Sequence, residues 1–298
     1  MPTKSLNTKK IIVVVGPTAT NKTNVAIALA KELNGEIVNA DAFQVYRELN
    51  IGVNKPSTGE LKQAPFHLIG NVSIKDKWDI KRFQKEANTI ISGIYERKHI
   101  PIVVGGSHLY VDALILSYDL DSAPERDNSF DNLSIDELIA ELKKYDTELV
   151  DKIGKNHKRL VRALQIANFT SVKRNHKKPI YNPLYVLCIK PREQLYEDIN
   201  KRVDQMIKNG WYKEVSSLVG EFHNYNTLNA FKAIGYLDIA HALTHPKSIV
   251  DIEKIKRNTR HYAKRQLTWI RHHYTNVCEY RQNNLKEIIK SAKSWVEE

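Results

Sequence analysis

The chain of 298 residues is 42% hydrophobic and 27% charged, an ordinary balance for a folded protein that excludes intrinsic disorder, collagen and a disulfide scaffold, and its length predicts two structural units. No run approaches the roughly 20 apolar residues of a membrane helix, the N-terminus lacks the apolar core of a secretory signal, and Cys188 and Cys278 form no CxxC pair, so a cytoplasmic setting with no membrane partner is expected. Forty-six Lys+Arg against 34 Asp+Glu give a formal charge of +12, a field that favours polyanions.

In chain order, residues 11–15 form a continuous β-branched run, the pattern of a strand buried on both faces of a parallel sheet. A Gly-Pro-Thr loop follows, then a helical stretch over 24–33 that stops at Asn34-Gly35. Residues 36–39 read as a second strand and 102–104 as a third, ended by Gly105-Gly106, with a helix over 111–116. Strands alternating with helices predict an α/β fold built on a parallel sheet. Residues 118–181 differ: apolar positions at helical spacing (Ile135, Leu138, Leu142; Leu160, Leu164) and no clear strand predict a helical insertion. Residues 184–189 return as a strand, 193–206 and 212–219 as helices broken at Asn209-Gly210, and the remainder reads as basic helix. The expected division is therefore a core of 1–117 and 182–298, with 118–181 inserted. Basic residues concentrate twice, nine in 151–178 and seven in 251–275, which favours two polyanion-facing surfaces over two merely solvated helix faces.

Chemistry concentrates in Gly16, Pro17, Thr18, Ala19, Thr20, Asn21, Lys22 and Thr23. A loop of this pattern between a buried strand and a helix is the context of a phosphate-binding P-loop. Its backbone N–H groups and the helix N-terminus hold phosphate, Lys22 reaches the outer phosphate, and the Thr23 hydroxyl ligates Mg²⁺. Asn21 occupies the place of the second glycine, and asparagine is among the residues that tolerate positive φ. The third strand ends in glycines and not in the magnesium-holding acid of ATP hydrolases. An acid instead follows the second strand, at Asp41, which the carboxyl edge of such a sheet would bring into the same crevice; a turn or helix-cap role is the plain alternative for Asp41.

The motifs together resemble the tRNA dimethylallyltransferases (tRNA isopentenyltransferases) over nearly the whole chain. The matching stretches are the P-loop, Asp41-Ala42-Phe43-Gln44-Val45-Tyr46-Arg47, Gly52-Val53-Asn54-Lys55-Pro56, Val104-Gly105-Gly106-Ser107-His108-Leu109-Tyr110, Asn200-Lys201-Arg202-Val203-Asp204 and Tyr262-Ala263-Lys264-Arg265-Gln266-Leu267-Thr268-Trp269. The resemblance implies a P-loop NTPase-like core and transfer of a dimethylallyl group from its diphosphate to the exocyclic amine of the adenine beside the anticodon. It implies Asp41 as the base, and Thr23 with Mg²⁺ and Arg202 at the diphosphate. It also implies contacts to the anticodon stem-loop of tRNA from Asp41, Ala42, Phe43, Gln44, Ser107 and Arg126. Further contacts are implied from Lys158, Arg159 and Arg162, and from Lys264, Arg265 and Arg271; Lys256, Arg260 and Lys264, four apart, would form one basic stripe. A monomer is expected. Departures from the family pattern are Asn21, Ala42 for serine, Gly70 for aspartate and Ser107 for threonine. Two other readings use the same residues. A small-molecule kinase would bind ATP at the P-loop and use Asp41 on a hydroxyl, against which the missing strand-end acid and the basic C-terminal helix count; a non-catalytic RNA-binding relative would retain only the surfaces. His272, His273 and Cys278 raise a metal option, but their spacing fits no standard site.

Overall fold

The computed structural model describes residues 9–298 apart from 121–123, 125–126, 170–178, 246, 275–276 and 282–283. Arg126 and the basic residues Lys173, Arg174, Lys177 and Lys178 lie outside the described residues. The chain divides into two compact units, Met1–Ser117 with Pro179–Glu298, and Tyr118–Lys178.

In the first unit the elements run β1 (Lys9–Val15), α1 (Lys22–Leu33), β2 (Gly35–Asn39), α2 (Thr58–Leu61), β3 (Phe66–His67), α3 (Ile80–Glu96), β4 (Ile100–Val104) and α4 (His108–Ile115). The second unit contributes α5 (Ile135–Lys143), α6 (Thr147–Ile153) and α7 (His157–Phe169). The chain then returns through β5 (Tyr181–Cys188), α8 (Arg192–Lys208), α9 (Trp211–Glu221), α10 (Tyr236–Thr244), α11 (Ile252–His273), β6 (Val277–Tyr280) and α12 (Leu285–Glu297). The strands form one six-stranded parallel sheet ordered β3-β2-β4-β1-β5-β6, the P-loop NTPase-like α/β arrangement. Tyr181, given above to the insertion, opens β5 and pairs with Lys9 on β1. The helix α3 carries no expectation above, although Phe83, Ala87, Ile91 and Ile94 make one buried face of it; β6 lies in the remainder expected as basic helix and is instead a strand paired in parallel with β5.

The β-branched run of β1 is fully buried because it lies between two layers. Ile11, Val13 and Val15 face one core with Phe83, Trp211 and Tyr236, whereas Ile12 and Val14 face another with Val25, Leu29 and Ile288. Alternate residues thus serve opposite layers, as strand geometry requires. Since every strand runs the same way, all carboxyl ends meet at one edge, and the loops after β1, β2 and β4 are brought together there.

The second unit has its own small core, with Leu138, Leu142, Leu160 and Leu164 buried. Ser134 caps α5 through a reciprocal capping box with Glu137. Lys158 and Arg159 are exposed on α7, while Arg162 donates to Gln165 Oε1 at 3.2 Å.

Candidate active site

The P-loop leaves β1 with Gly16 at φ +152°, where a Cβ would meet the Cys188 carbonyl oxygen at 2.4 Å; no side chain fits. Asn21 takes φ 60°, ψ 29°, a left-handed residue immediately before α1, the backbone path that the glycine of the motif ordinarily supplies. Thr20 is buried and donates to Pro17 O at 2.8 Å, and Lys22 Nζ donates to the same oxygen at 2.7 Å. Residues Thr18 to Asn24 line a cavity of about 470 Å³ with Asp41, Phe43, Gln44, Gly105, Gly106 and Arg202.

Burial pushes the Lys22 ammonium down to about 8, with Arg202 adding to the fall and Cys188 and Asp41 opposing it. Burial raises the Asp41 carboxyl above its ordinary value; N–H groups of Phe43 and Gln44, and the charge of Lys22, pull the other way. Asp41 and the P-loop lysine therefore feel each other across one cavity. Asp41 Oδ1 accepts from Phe43 N at 2.9 Å and from Gln44 N at 3.2 Å, the tight turn the plain reading foresaw, and this turn is what presents the carboxylate. Burial also lowers Arg202, partly offset by Asp198, but guanidinium remains a permanent cation.

The other expected residues divide by role. Ala42 and Ser107 do not line the cavity; the Ala42 N–H donates to Ser107 Oγ at 3.0 Å, joining the loop after β2 to the loop after β4. Gln44 Nε2 donates to the carbonyls of Val53 and Asn54 at 3.1 and 2.9 Å, fixing a further wall. Lys264, Arg265 and Arg271 are exposed on α11. The continuous basic stripe is not present. Lys256 pairs with Asp204 at 2.9 Å and Glu253 at 3.0 Å, and Arg260 donates to Asn200 at 2.6 Å, so acids and amides of neighbouring side chains occupy both. Of the residues in the histidine–cysteine metal option, His273 has a carboxylate partner. His273 Nδ1 lies 2.9 Å from the buried Asp112 carboxylate, and among the described residues no group of three or more His, Cys, Asp or Glu could hold a metal. Gly70 takes φ +62° and its N–H donates to Gln44 O, so in this chain that position turns the backbone beside the site.

Sequence reasoning gave no cavity role to two parts of the wall, although Gly52-Val53 and Tyr262 to Gln266 lie in stretches that carry the resemblance. Val53, Met206, Trp211, Ala233 and Ile234 give it an apolar wall. Gly52 and Gly235 are needed there, because a Cβ would meet the Trp211 ring at 2.0 and 2.3 Å. Tyr262 and Gln266, on α11, reach in from the other side.

The donor set suits magnesium in one way only. A small hard cation accompanying a diphosphate takes most ligands from phosphate oxygens and water and needs one or two protein oxygens. The Thr23 hydroxyl on the cavity wall meets that requirement, and no acidic cage competes among the described residues.

A parallel sheet whose first loop lies across one cavity from a half-buried carboxylate defines a P-loop α/β protein equipped to activate a phosphorylated substrate without a strand-end acid. The family described as IPP transferase matches residues 44–273. The chain is 39% identical to the tRNA dimethylallyltransferase of Malacoplasma penetrans, over 97% of this chain and 98% of that protein, and 39% identical to that of Mycoplasmoides gallisepticum over 90% and 89%. Among solved structures, the tRNA isopentenylpyrophosphate transferase of Bacillus halodurans superposes with a TM-score of 0.74 at 31% identity, covering 97% of each chain. A eukaryotic dimethylallyltransferase acting on tRNA superposes with a TM-score of 0.83 at 26% identity, over 97% of this chain and 80% of that one. The chain belongs to the IPP transferase family.

Proposed function

We propose that the chain is a tRNA dimethylallyltransferase, moving a dimethylallyl group from dimethylallyl diphosphate to the N6 amine of the adenosine next to the anticodon on its 3′ side. One observation carries the chemistry: Lys22 and Arg202 line the same cavity as the Asp41 carboxylate, whose burial makes it more basic, while the other carboxylate on the wall, Glu60, is engaged with the Ser57 hydroxyl and N–H.

An adenine amine is conjugated into its ring and is a poor nucleophile. As its nitrogen bonds to C1 of the dimethylallyl group, the C1–O bond breaks and diphosphate leaves with the electron pair. The amine proton goes to the Asp41 carboxylate, whose raised proton affinity favours acceptance. The negative charge gathering on the leaving diphosphate as C1–O breaks is met by Lys22, Arg202 and the N-terminus of α1. The Thr23 hydroxyl would hold a magnesium ion accompanying the diphosphate, and that ion would supply further charge neutralisation at the phosphate oxygens. The apolar wall around Trp211 suits the five-carbon group, and its exclusion of water protects an allylic centre from hydrolysis.

A stacked base cannot reach Asp41, so the adenine is flipped out at a cost of a few kcal/mol. Phe43 and Gln44 meet it at the cavity, while Ala42 and Ser107 hold the turn behind it. The exposed Lys158 and Arg159 of α7, Arg162 beside them, and Lys264, Arg265 and Arg271 of α11 contact the RNA backbone. Incubation with unmodified tRNA and dimethylallyl diphosphate, followed by nucleoside mass analysis, tests the reading. The expected product is prenylated adenosine; unmodified tRNA alongside intact diphosphate binding would defeat it.

A further inference from the structure

Gln266 is a buried polar residue on α11, 3% exposed, and it bridges two loops that are distant in sequence. Its Oε1 accepts the backbone N–H of Thr18 in the P-loop at 2.9 Å, and its Nε2 donates to the carbonyl of Gly106 after β4 at 2.9 Å. The chemistry fixes which way the amide points, since the reverse would set N–H against N–H and oxygen against oxygen. Gly106 is required by this approach: a Cβ there would lie 2.4 Å from Nε2. The same carbonyl also accepts from Tyr262 Oη at 3.2 Å, one turn earlier on α11. On its other side, the glycine loop packs on the Asp41 loop, where a Cβ on Gly105 would meet Ala40 O at 2.3 Å. Gln266 thus stands between the wall that carries Lys22 and the wall that carries Asp41.

From this bridge we infer that Gln266 is a positioning residue for the diphosphate, and not an RNA contact like its neighbours Lys264 and Arg265. Its amide holds the Thr18 end of the P-loop at a set distance from the glycine loop, so the phosphate cradle is shaped before the ligand arrives. Buried amide bonds to two backbone groups suit this task, because leaving either group unpaired costs more than the bond itself contributes. The inference rests on the functional reading for the identity of the ligand, but only on geometry for the bridge.

The test is Gln266→Met, which keeps the volume and removes both hydrogen bonds. Direct calorimetric binding of inorganic diphosphate with magnesium should weaken about tenfold, the scale of one lost hydrogen bond, while tRNA affinity and its salt dependence stay within about twofold. Weakened tRNA binding with diphosphate unaffected would make Gln266 an RNA contact and overturn the inference. Reduced thermal stability with both affinities unchanged would reduce it to a packing residue and overturn it equally. Should Gln266→Met not fold, Gly106→Ala displaces the same amide by its added methyl group and should reproduce the loss. Where both fold, the double variant should be no weaker than either single one; additive losses would mean two separate roles and no bridge. Because the readout is inorganic diphosphate, it is independent of prenyl transfer: absence of turnover by the unaltered protein counts against the functional reading alone.

Discussion

Lys22 Nζ donates to the Pro17 carbonyl at 2.7 Å, so the ammonium that would meet the outer phosphate is anchored within its own loop. Burial has brought it to about 8 and has raised Asp41. The reaction needs Lys22 protonated and Asp41 ionised, so kcat/KM should follow a bell in pH. Its acid limb should stand above the ordinary carboxylate range near about 3.9, and its alkaline limb should fall close to 8. Lys22→Arg should abolish the alkaline limb, because guanidinium does not titrate there. An alkaline limb unmoved in that variant would assign it to another group.

Asp41 does two things, holding the turn through Phe43 and Gln44 and facing the cavity. Asp41→Ala removes both, whereas Asp41→Asn keeps an oxygen to accept the turn N–H groups. Single-turnover rates for Asp41→Asn should fall by about 10²–10⁴ with tRNA affinity nearly unchanged. Retention of most of the rate would remove Asp41 from proton transfer.

Much of this site could be read from the sequence, for reasons that particular residues make plain. The β-branched run of β1, the Lys22-Thr23 pair and Asp41 after β2 are local patterns, and the parallel sheet brings their ends together. The bridges were not legible. Ser107 to Ala42 and Gln266 to Thr18 join residues remote in the chain, and no periodicity marks them. The basic stripe failed for the same reason, since Asp204 and Asn200 come from α8. At two residues, β3 is too short to show alternation. By contrast α3 was readable, with Asp79 capping a helix whose apolar face recurs at helical spacing.

Asn21 should be a tolerated stand-in for glycine. Its left-handed φ of 60° costs asparagine little and glycine nothing. Asn21→Gly should leave the KM for dimethylallyl diphosphate unchanged or lower, with stability altered by less than about 1 kcal/mol. A raised KM would show that the exposed side chain has been recruited to the ligand.

Away from the cavity, Glu36 on β2 is buried and accepts from Arg97 Nε and Nη2 at 2.8 Å each, with His67 and His99 at 2.7 Å. Hydrogen bonding from Arg97 foremost, then His67 and His99, outweighs burial and holds its carboxyl at about 2 against an ordinary 4.5. The folded value is the lower one, so the stabilisation is full above 4.5 and is lost as pH falls toward 2. The difference corresponds to about 3 kcal/mol at most. Thermal unfolding of Glu36→Gln should show lower stability at neutral pH and a flatter acid limb; an acid limb identical to that of the unaltered protein would place the loss on other carboxylates.

The two basic surfaces predict different outcomes for residues that look alike in sequence. Lys264 and Arg265 are exposed on α11, while Lys256, two turns earlier, is paired with Asp204 and Glu253. Phosphate contacts release counterions, so tRNA binding should weaken steeply with salt. Lys264→Ala should lower tRNA affinity and reduce the salt slope by about one unit, and Arg162→Ala should do likewise from α7. Diphosphate binding, governed by the P-loop, should be unaffected in both. Lys256→Ala should leave the slope where it is, because its charge is already spent on neighbouring carboxylates. Filter-binding titrations over a range of salt concentrations distinguish the cases. If Lys264→Ala and Arg162→Ala leave both affinity and slope intact, these faces are solvated helix surfaces, and the tRNA is held elsewhere on the chain.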